Sequence, residues 1–535
     1  GGAAEFPLDA RIGIDRLLGA GVLRRQRHGR VGFRHGLVRD AIVRGVPEHL
    51  RRQIHLAAVE YYRDKRRGSD GLSDEPRLQQ LAYHAARAGH DAVAEEAYLQ
   101  LADAARARHA YVDAERLYTL AIEQSEARVG SNVRQEEPDA VPVSSVRAGA
   151  SGVDSMRRNH RRDAFHGRAL MRYRVGRNHD ALLDFVEVRA QTNPAAFVDH
   201  ARILLDEATA LDWMGDSMAS RDKALAAQVL VDGRATPELS ARLHLAIGRS
   251  NARFSRLDDA VKELECAAHE AAALGEEGYE TQVVALLLLG GLQLGLGNLP
   301  GAETVLDRAV SLCEAHGDAL HLGSSMNSRG ALRAFQGDSL RMVADFERVI
   351  SLGRELGQYY LEFSGHYNLG EFLYWMERLD EAAVHVARAH AMNERWATGG
   401  FRPETVLLEA RIALYRGDLD HARLLARRLR GSEAAQLAVP SEDVLCSMIE
   451  LATSDAQDAA WDALEQRAAK WYSVGQERIE VIEARGMADA RRGRFDAARG
   501  HYERASELAA QIPNVLRDRI LRRLARLDAT RVSNG

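Results

Sequence analysis

Few residues of this sequence have the types and spacing that catalysis or metal binding requires. Adjacent carboxylates at Asp258-Asp259 and Glu276-Glu277 could act as a general acid and base. Both pairs lie at predicted turns between helices, where solvated helix caps explain them better. His269-Glu270 begins like a zinc-protease motif, but three alanines follow and the second histidine is missing. The sequence therefore predicts no catalytic residue, no metal site and no cofactor.

Motifs for nucleotides and for activated nucleophiles are missing as well. The sequence contains no G-x-x-x-x-G-K-[ST] loop, no kinase catalytic loop or D-F-G, and no G-x-S-x-G elbow. Cys266, Cys313 and Cys446 lie far apart and form no C-x-x-C pair, so we expect buried thiols rather than a disulfide framework or a zinc site. We therefore predict that this chain is not an enzyme and does not itself hold ATP.

Composition and charge favour a folded helical protein of the cytoplasm. Of the 535 residues, 46% are apolar, 28% are charged and only 11 are proline. The net charge of −5 argues against a nucleic-acid surface along the whole chain. The longest apolar run, near Val283 to Leu289, is too short to cross a membrane, and no signal peptide opens the chain. Only four of the 72 basic residues are lysine, which suggests a GC-rich bacterial genome.

A repeat of about forty residues organises the chain from about residue 161 onward. Several segments have the pattern Gly-x-apolar-x-x-Ala, as in Gly297–Ala302 and Gly493–Ala498, and a small residue stands twelve positions before each such alanine. The small residues of the nine copies are Ala169, Ala208, Gly248, Gly290, Gly330, Gly370, Ala410, Ser447 and Gly486. The later positions are Ala181, Ser220, Ala260, Ala302, Met342, Ala382, Ala422, Ala459 and Ala498.

This spacing predicts pairs of closely packed antiparallel helices. A small residue in the middle of the first helix lets the second helix approach closely, and the glycine between them ends one helix while Asp or Asn caps the next. One pair cannot bury its apolar face alone, so neighbouring pairs must stack. The pattern resembles the tetratricopeptide repeat with lengthened helices. The resemblance implies an all-α, right-handed helical solenoid over residues 163–535, and we expect irregular helix ends in the Met342 and Ser447 copies.

Two further segments precede the regular repeats. Residues 71–125 are rich in alanine at helical spacing and predict lead-in helical hairpins. Between residues 126 and 162 the periodicity stops and Ser, Pro, Gly and Val take over, which predicts a flexible linker whose serines could be phosphorylated, although a plain spacer is the simpler interpretation.

Tetratricopeptide arrays line their concave groove with first-helix residues at positions −6, −3, +1, +4 and +5 from the small residue, and the resemblance implies the same here. The residues selected in this way are Arg242, Arg249, Arg253, Asn327, Phe335, Tyr367, Glu371, Tyr374, Trp375, Arg411 and Tyr415. The arginines suit a carboxylate or phosphate, and the aromatic faces suit a peptide or a sugar-like ligand. The alternative is that Tyr374 and Trp375 only pack between neighbouring repeats.

Residues 1–70 follow a different pattern. A short amphipathic helix, two short strands around a basic turn and two further helices are predicted here. The segment holds 15 Lys or Arg against 8 Asp or Glu, which fits a solvated face, docking on an acidic neighbour or, as the less favoured interpretation, DNA binding.

This order of elements resembles a small winged-helix domain. The string Phe33-Arg-His-Gly-Leu-Val-Arg-Asp-Ala41, with Arg51-Arg-Gln-Ile-His55, is similar to the end of the ATPase module in bacterial STAND (signal transduction ATPase with numerous domains) regulators. The whole layout is most similar to myxobacterial-type serine/threonine kinases that carry such an ATPase and a tetratricopeptide sensor. The resemblance implies an ATPase domain upstream of this chain and makes His35 the residue that senses its nucleotide, although a locally satisfied helix-end histidine is an equal alternative.

Three functions follow as hypotheses. The leading one is a non-catalytic sensor that binds a protein, a peptide or a small effector in the groove and regulates the upstream ATPase by population shift. The second is a DNA-binding transcriptional regulator that uses the basic winged helix, although a nucleic-acid partner is not expected. The third, a hydrolase or transferase with an unrecognised groove site, has the least support.

Overall fold

The chain is almost entirely helical, as predicted. The computed structural model describes residues 10–25, 31–64, 74–133, 147–395, 403–431, 440–471, 475–511 and 515–534. Within these residues the only sheet is one two-stranded hairpin. The contacts divide the chain into two units, Gly1–Ala196 and Phe197–Gly535.

The first unit begins with an antiparallel hairpin flanked by helices. Its strands are β1 (Leu23–Arg25) and β2 (Val31–Phe33), and its helices are α1 (Ala10–Gly19), α2 (Gly36–Gly45), α3 (Glu48–Asp64), α4 (Glu75–Ala88), α5 (Asp91–Ala107), α6 (Tyr111–Val133), α7 (Arg147–Arg174) and α8 (Asn178–Gln191). Leu23 pairs with Phe33 across the hairpin. The helices α4 to α6 span the segment for which lead-in hairpins over residues 71–125 are predicted.

The helices and strands at the N-terminus follow each other in the order of a winged-helix domain. A packed winged-helix domain, however, is not confirmed. Each strand has three residues, and α2 buries none of its side chains, with Leu37 82% exposed. Helix α3 belongs to the neighbouring core, where Val59 clusters with Leu81 and Leu101 of α4 and α5. The described hairpin and α2 are too small to form a core of their own.

The predicted linker is shorter than expected. Helix α6 continues to Val133 and α7 already begins at Arg147, so the expectation of a loop over 126–133 and 147–162 is wrong. Residues 134–146, with the prolines that suggested a linker, lie outside the described residues. The periodicity failed as a guide here because a helix of polar and small residues needs no regular apolar stripe.

The second unit is a succession of helical hairpins. Its helices are α9 (Phe197–Trp213), α10 (Ser217–Val231), α11 (Pro237–Arg253), α12 (Leu257–Ala273), α13 (Tyr279–Gly295), α14 (Leu299–His316), α15 (Ala319–Phe335), α16 (Ser339–Leu356), α17 (Tyr359–Trp375), α18 (Leu379–Arg395), α19 (Pro403–Arg416), α20 (Leu419–Arg430), α21 (Pro440–Ala452), α22 (Asp458–Trp471), α23 (Gln476–Arg491), α24 (Phe495–Ala509) and α25 (Leu516–Asn534). A single 3₁₀ turn, Gly275–Glu277, precedes α13.

Small residues in the odd-numbered first helices let the even-numbered second helices approach closely. A Cβ added to Gly290 would lie 2.5 Å from Leu306, and one added to Gly330 would lie 2.9 Å from Phe346. Leu306 stands four positions after Ala302, and Phe346 stands four positions after Met342. The residue that fills the space therefore has the same repeat position in both copies. One large side chain of each second helix therefore packs directly over the backbone of the first helix.

The turns between first and second helices have the predicted chemistry. Gly297 and Gly337 have positive φ angles of 77° and 81°. Asn298 and Asp338, which follow them, accept a hydrogen bond from the first turn of the second helix. At the equivalent position of its own copy Glu377 replaces glycine and still has a φ of 62°.

The Ser447 copy departs from the predicted register. Ala459, the expected contact residue of its second helix, is exposed, whereas Trp461 is fully buried. Trp461 is the fourth residue of α22, as Ala498 is of α24. The turn before α22 is thus longer by two residues, and a large indole replaces the small side chain.

None of the described helices is both long enough and apolar enough to cross a membrane.

Candidate functional site

The first helices of successive repeats contact one another from α9 to α25. We call the side chains that they direct toward one another, at the positions selected above, the inner row. The predicted groove residues belong to four of these helices, α11, α15, α17 and α19. The structure places them in three stretches that differ in their partners and in their exposure.

The arginine stretch is a ladder of ion pairs between α9 and α11. Arg242 Nη2 donates to Asp206 at 2.6 Å, and Arg253 donates through Nε and Nη2 to both carboxylate oxygens of Asp212, at 2.9 and 3.1 Å. The hydrogen bonds that Arg253 donates to Asp212 raise the pKa of Arg253. Because these guanidinium groups have carboxylate partners within the protein, the stretch does not present an unopposed positive charge.

Arg249 is the buried member of the ladder. Its Nη2 donates to Thr209 Oγ1 at 2.9 Å, and the side chain is 6% exposed. Arg253, in contrast, has 52% of its side chain exposed despite its two hydrogen bonds. Among the three predicted arginines, Arg253 is therefore the one best placed to meet a ligand.

The middle stretch combines amides with aromatic rings on α15 and α17. Asn368 Nδ2 donates to Asn327 Oδ1 at 2.9 Å. Along α17, the ring of Phe363 stacks on that of Tyr367 with centroids 6.2 Å apart. Phe335 meets Phe372 edge-on at 5.9 Å. Asn327, Phe335 and Tyr367 are all half-buried, so this stretch offers both apolar area and hydrogen-bonding groups.

Two exposed aromatic residues meet near the middle stretch. The rings of Trp213 on α9 and Tyr360 on α17 lie edge-to-face with centroids 6.4 Å apart, and more than half of each residue is exposed. Their first helices belong to repeats four steps apart in the sequence. First helices that are distant in sequence therefore approach each other across the inner row.

The last stretch is covered by the C-terminal helix α25. Tyr374, Trp375, Arg411 and Tyr415 are all buried. The guanidinium of Arg519, on α25, lies 4.4 Å from the ring centroid of Tyr415 and 5.0 Å from that of Tyr374. These predicted groove residues therefore pack against the protein itself in this structure.

Buried ion pairs hold this covered stretch together. Arg411 donates to Glu371 at 2.9 Å and to Glu480 at 2.7 Å, so it links α17 to α23. Tyr415 Oη donates to Glu483 at 2.9 Å, and Arg519 Nη2 donates to the same carboxylate at 2.6 Å. The side chains of Arg519, Glu480 and Glu483 are at most 1% exposed.

The two carboxylates of Arg411 have pKa values shifted in opposite directions. Burial favours the neutral form of Glu480, but Arg411 and Arg519 outweigh burial and lower its pKa. Burial also acts on Glu371, where Arg411 compensates only in part and the pKa is raised. Burial and the nearby Glu371 raise the pKa of Tyr367. Glu480 is thus an ion of a paired core, whereas Glu371 is a carboxylate at the edge of that core.

The sequence contained a signal for the residues that the prediction missed. The groove positions −6 and −3 of the ninth copy are Glu480 and Glu483, and position +5 of the second copy is Trp213. One further step of 39 residues from Gly486 reaches Ala525, and position −6 from there is Arg519. A tenth first helix, α25, therefore continues the repeat beyond the nine predicted copies.

His35 lies at the start of α2, in the first unit. It is exposed, and its side chain makes no capping hydrogen bond. Nothing in the structure tests its predicted role as a nucleotide sensor. In the part of the chain that the structure describes, no group of three or more His, Cys, Asp or Glu side chains could hold a metal ion.

Comparisons by sequence found no protein-family profile and no curated protein that matches the chain. Solved structures do match its fold. A Rap protein complexed with competence and sporulation factor is 14% identical with a TM-score of 0.50, and the match covers 68% of this chain and 99% of that one. The apo form of RapI has 12% identity and a TM-score of 0.42 over 70% of this chain and 99% of its own.

A STAND protein with a tetratricopeptide repeat sensor from Pyrococcus horikoshii also matches. It has 13% identity and a TM-score of 0.41, and the match covers 78% of this chain and 58% of that chain. At these identities the likeness shows the fold alone. The chain is an all-α solenoid of tetratricopeptide-like helical hairpins.

Proposed function

We propose that this chain is a non-catalytic sensor that binds an extended peptide segment of a protein partner, or a small effector of similar chemistry, on the middle stretch of the inner row. The observation that carries the proposal is the Asn327–Asn368 pair, which lies beside half-buried aromatic rings on adjacent first helices. The last stretch, which α25 covers, is not part of this proposed site.

The chemistry of the middle stretch suits a peptide backbone. An asparagine side chain carries both a donor and an acceptor, so the pair leaves Asn327 Nδ2 and Asn368 Oδ1 outside their mutual bond. A peptide group needs one donor and one acceptor of this kind. Tyr367 and Phe335 add rigid apolar area at little cost in side-chain entropy.

Charged groups flank the amide pair and would orient a ligand. Glu371, on the same helix as Tyr367, has 19% of its side chain exposed and would accept hydrogen bonds from a cationic group. The half-exposed Arg253 would meet a carboxylate nearer the N-terminal end of the array. Trp213 and Tyr360 supply a further exposed aromatic surface.

Selection from a displayed library of random peptides tests this proposal. We expect selected peptides to bind the wild-type chain and to lose at least about tenfold in affinity to the Asn327→Ala/Asn368→Ala variant, which corresponds to about 1.4 kcal/mol. A matched control, Val384→Ala/Leu424→Ala, changes two exposed residues of second helices and should bind like wild type. Peptides that bind all three proteins equally would show that the middle stretch is not the site.

We also propose that the sensor regulates a STAND-type ATPase domain, to which the segment of α1, β1, β2 and α2 docks. The sequence resemblance of residues 33–41 supports this, and so do the exposed apolar side chains of α2, Leu37, Ile42 and Val43. In this proposal His35 meets the phosphates of a nucleotide held by that domain.

The coding sequence upstream of this segment tests the regulatory part of the proposal. It should encode a G-x-x-x-x-G-K-[ST] loop in the same reading frame. The chain alone should bind no ATP in calorimetry, because its own sequence has no such loop. An upstream sequence without the loop, or stoichiometric ATP binding by this chain, would contradict the assignment.

A further inference from the structure

Helix α25 carries a row of arginines at the groove positions of a tenth repeat. Counted from Ala525, Arg519, Arg522 and Arg526 stand at −6, −3 and +1. These spacings place them on one side of the helix. Arg523 lies next to the row and is 14% exposed. The helix therefore presents a basic face to the first helices that it covers.

An acidic row receives this basic face. We give this name to Glu377, in the turn between α17 and α18, and to Glu480 and Glu483 of α23. Arg522 Nε donates to Glu377 at 3.0 Å, and Arg526 Nη1 donates to the same carboxylate at 3.4 Å. Glu483 accepts a hydrogen bond from Arg523 Nε at 2.7 Å and another from Arg519 Nη2 at 2.6 Å.

Glu377 adopts an unfavourable backbone conformation in this row. Its φ of 62° is in the left-handed region. The equivalent residues Gly297, Gly337 and Gly417 are glycines, whereas the equivalent Ser255 has a φ of 58°. A residue with a Cβ costs about 1 kcal/mol there relative to glycine. Glu377 occupies this position in spite of the cost, and its carboxylate pairs with Arg522, Arg523 and Arg526 of α25.

Charge rather than apolar burial distinguishes how α25 is attached. Helix α23 buries six apolar side chains between Ile479 and Ala488, whereas the buried apolar side chains among the described ones of α25 are Leu516, Ile520 and Leu527. Buried ion pairs are rarely more stabilising than apolar contacts of the same volume, because desolvation offsets most of the attraction. Buried ion pairs do select one partner, because a partner without the matching charges would leave a buried charge unpaired, and that is strongly disfavoured.

We propose that the acidic row is a docking site for an arginine-bearing amphipathic helix, and that α25 is the helix that occupies it within the chain. A partner protein with arginines at the spacing of Arg519, Arg522 and Arg526 takes its place, and α25 is then released. This site is separate from the middle stretch proposed above for an extended peptide. Its occupant is recognised by guanidinium groups rather than by backbone amides.

The experiment uses the full chain and a synthetic peptide of residues 515–534. The variant Arg519→Glu/Arg522→Glu/Arg526→Glu opposes the acidic row with like charges and should release α25. The matched control, Arg341→Glu/Arg348→Glu/Arg388→Glu, makes the same change of charge at exposed residues of second helices. Amide hydrogen exchange and peptide affinity are measured for the wild type and both variants.

We expect the α25 variant to lose hydrogen-exchange protection in α25 while α9 to α24 keep theirs. It should bind the peptide at least about tenfold more tightly than the wild type or the control does, since their site is occupied. Adding Glu377→Gln should weaken that binding about fivefold, and a scrambled peptide should not bind.

Several outcomes would overturn the proposal. If the α25 variant loses protection throughout α17 to α24, α25 is an integral part of the core. If it stays folded with α25 released but does not bind the peptide, the acidic row is not a docking site. Equal affinity for the scrambled peptide, or no effect of Glu377→Gln, would show general attraction of opposite charges instead of recognition.

Discussion

Arginine–carboxylate pairs occupy the inner row in two regions, and Arg253 in the first is far more exposed than Arg411 and Arg519 in the second. Between α9 and α11, Arg253 holds Asp212 while half of the arginine side chain faces solvent. Between α19, α23 and α25, Arg411 and Arg519 hold Glu480 and Glu483 at 4% exposure or less. Both regions draw on the same set of five first-helix positions. The difference arises because α25 lies over the second region.

Exposure decides what each arrangement can do. A pair in contact with water is screened and contributes little to stability, so its members can exchange partners with a ligand. A pair removed from water is tightly coupled, because neither ion can lose its partner without a large desolvation cost. Identical residue types can therefore form a solvent-exposed pair at Arg253 and a core ion pair at Arg411.

The largest effect is expected from truncating one arginine in each region. Arg411→Ala removes the arginine partner of Glu371 and leaves Glu480 with Arg519 alone, so it should lower the free energy of unfolding by about 3–5 kcal/mol. Arg253→Ala should lower it by less than about 1 kcal/mol, because Arg253 is half exposed and the buried Asp212 keeps Arg249 at 3.8 Å. Urea unfolding followed by circular dichroism measures both. Equal losses would mean that the two regions do not differ in burial as described.

A pH titration tests α17, the helix that borders both regions. His366 is 1% exposed, its Nδ1 lies 3.0 Å from His385 Nδ1, and burial, His385, Arg388 and Arg354 lower its pKa to about 4. Unfolded histidine titrates near 6.5, so between these values the unfolded state binds more protons. The associated stability is present above pH 6.5 and is lost as the pH falls toward 4, by about 3 kcal/mol.

His366→Asn provides the control for this titration. The variant should be less sensitive between pH 6.5 and 4 than the wild type, measured as the change in the free energy of unfolding. An unchanged slope would assign the acid sensitivity to other groups.

A smaller difference is expected between the two carboxylates of Arg411. The lowered pKa of Glu480 means that its ionised form stabilises the fold above pH 4.5 and that this contribution is lost as the pH falls below that value. The raised pKa of Glu371 has the opposite sign, since its ionisation disfavours the fold as the pH rises above 4.5. At pH 7, Glu480→Gln should therefore be more destabilising than Glu371→Gln, by about 1–2 kcal/mol. The reverse order would contradict the assigned environments.

The smallest change in stability is expected at the exposed aromatic pair. Trp213→Ala/Tyr360→Ala removes rings that are more than half exposed and should cost at most about 1 kcal/mol. A buried counterpart, Trp375→Ala, should cost about 3–5 kcal/mol because it leaves a cavity. Thermal melts compare the two. A large loss from the exposed pair would place it in the core.

Local spacing predicted the repeats because the small residues and turn glycines act within one hairpin. Gly290 and Leu306 meet within such a pair, and Asn298 caps its own helix. The same reasoning failed at Ala459, where the turn is longer by two residues and Trp461 takes the contact.

Whether a predicted groove residue is exposed or buried depends on contacts between distant repeats, which no local sequence pattern contains. Arg519 meets the carbonyl oxygen of Tyr374 from 145 positions away. The sequence indicated that Tyr374 and Arg411 belong to the inner row, but not that another first helix covers them. Likewise, the arginines of α11 looked like an anion site because their partners, Asp206 and Asp212, stand on the preceding repeat.

Chemical modification of arginines in the unmodified, native chain tests the central claim most directly. The claim is that the inner row is open to solvent at Arg253 and closed at Arg411 and Arg519. With an arginine-selective dicarbonyl reagent and mass spectrometry of the digested chain, Arg253 should react at least about tenfold faster than Arg411 and Arg519, since modification of the latter two requires local opening. Comparable rates at all three residues would contradict the account.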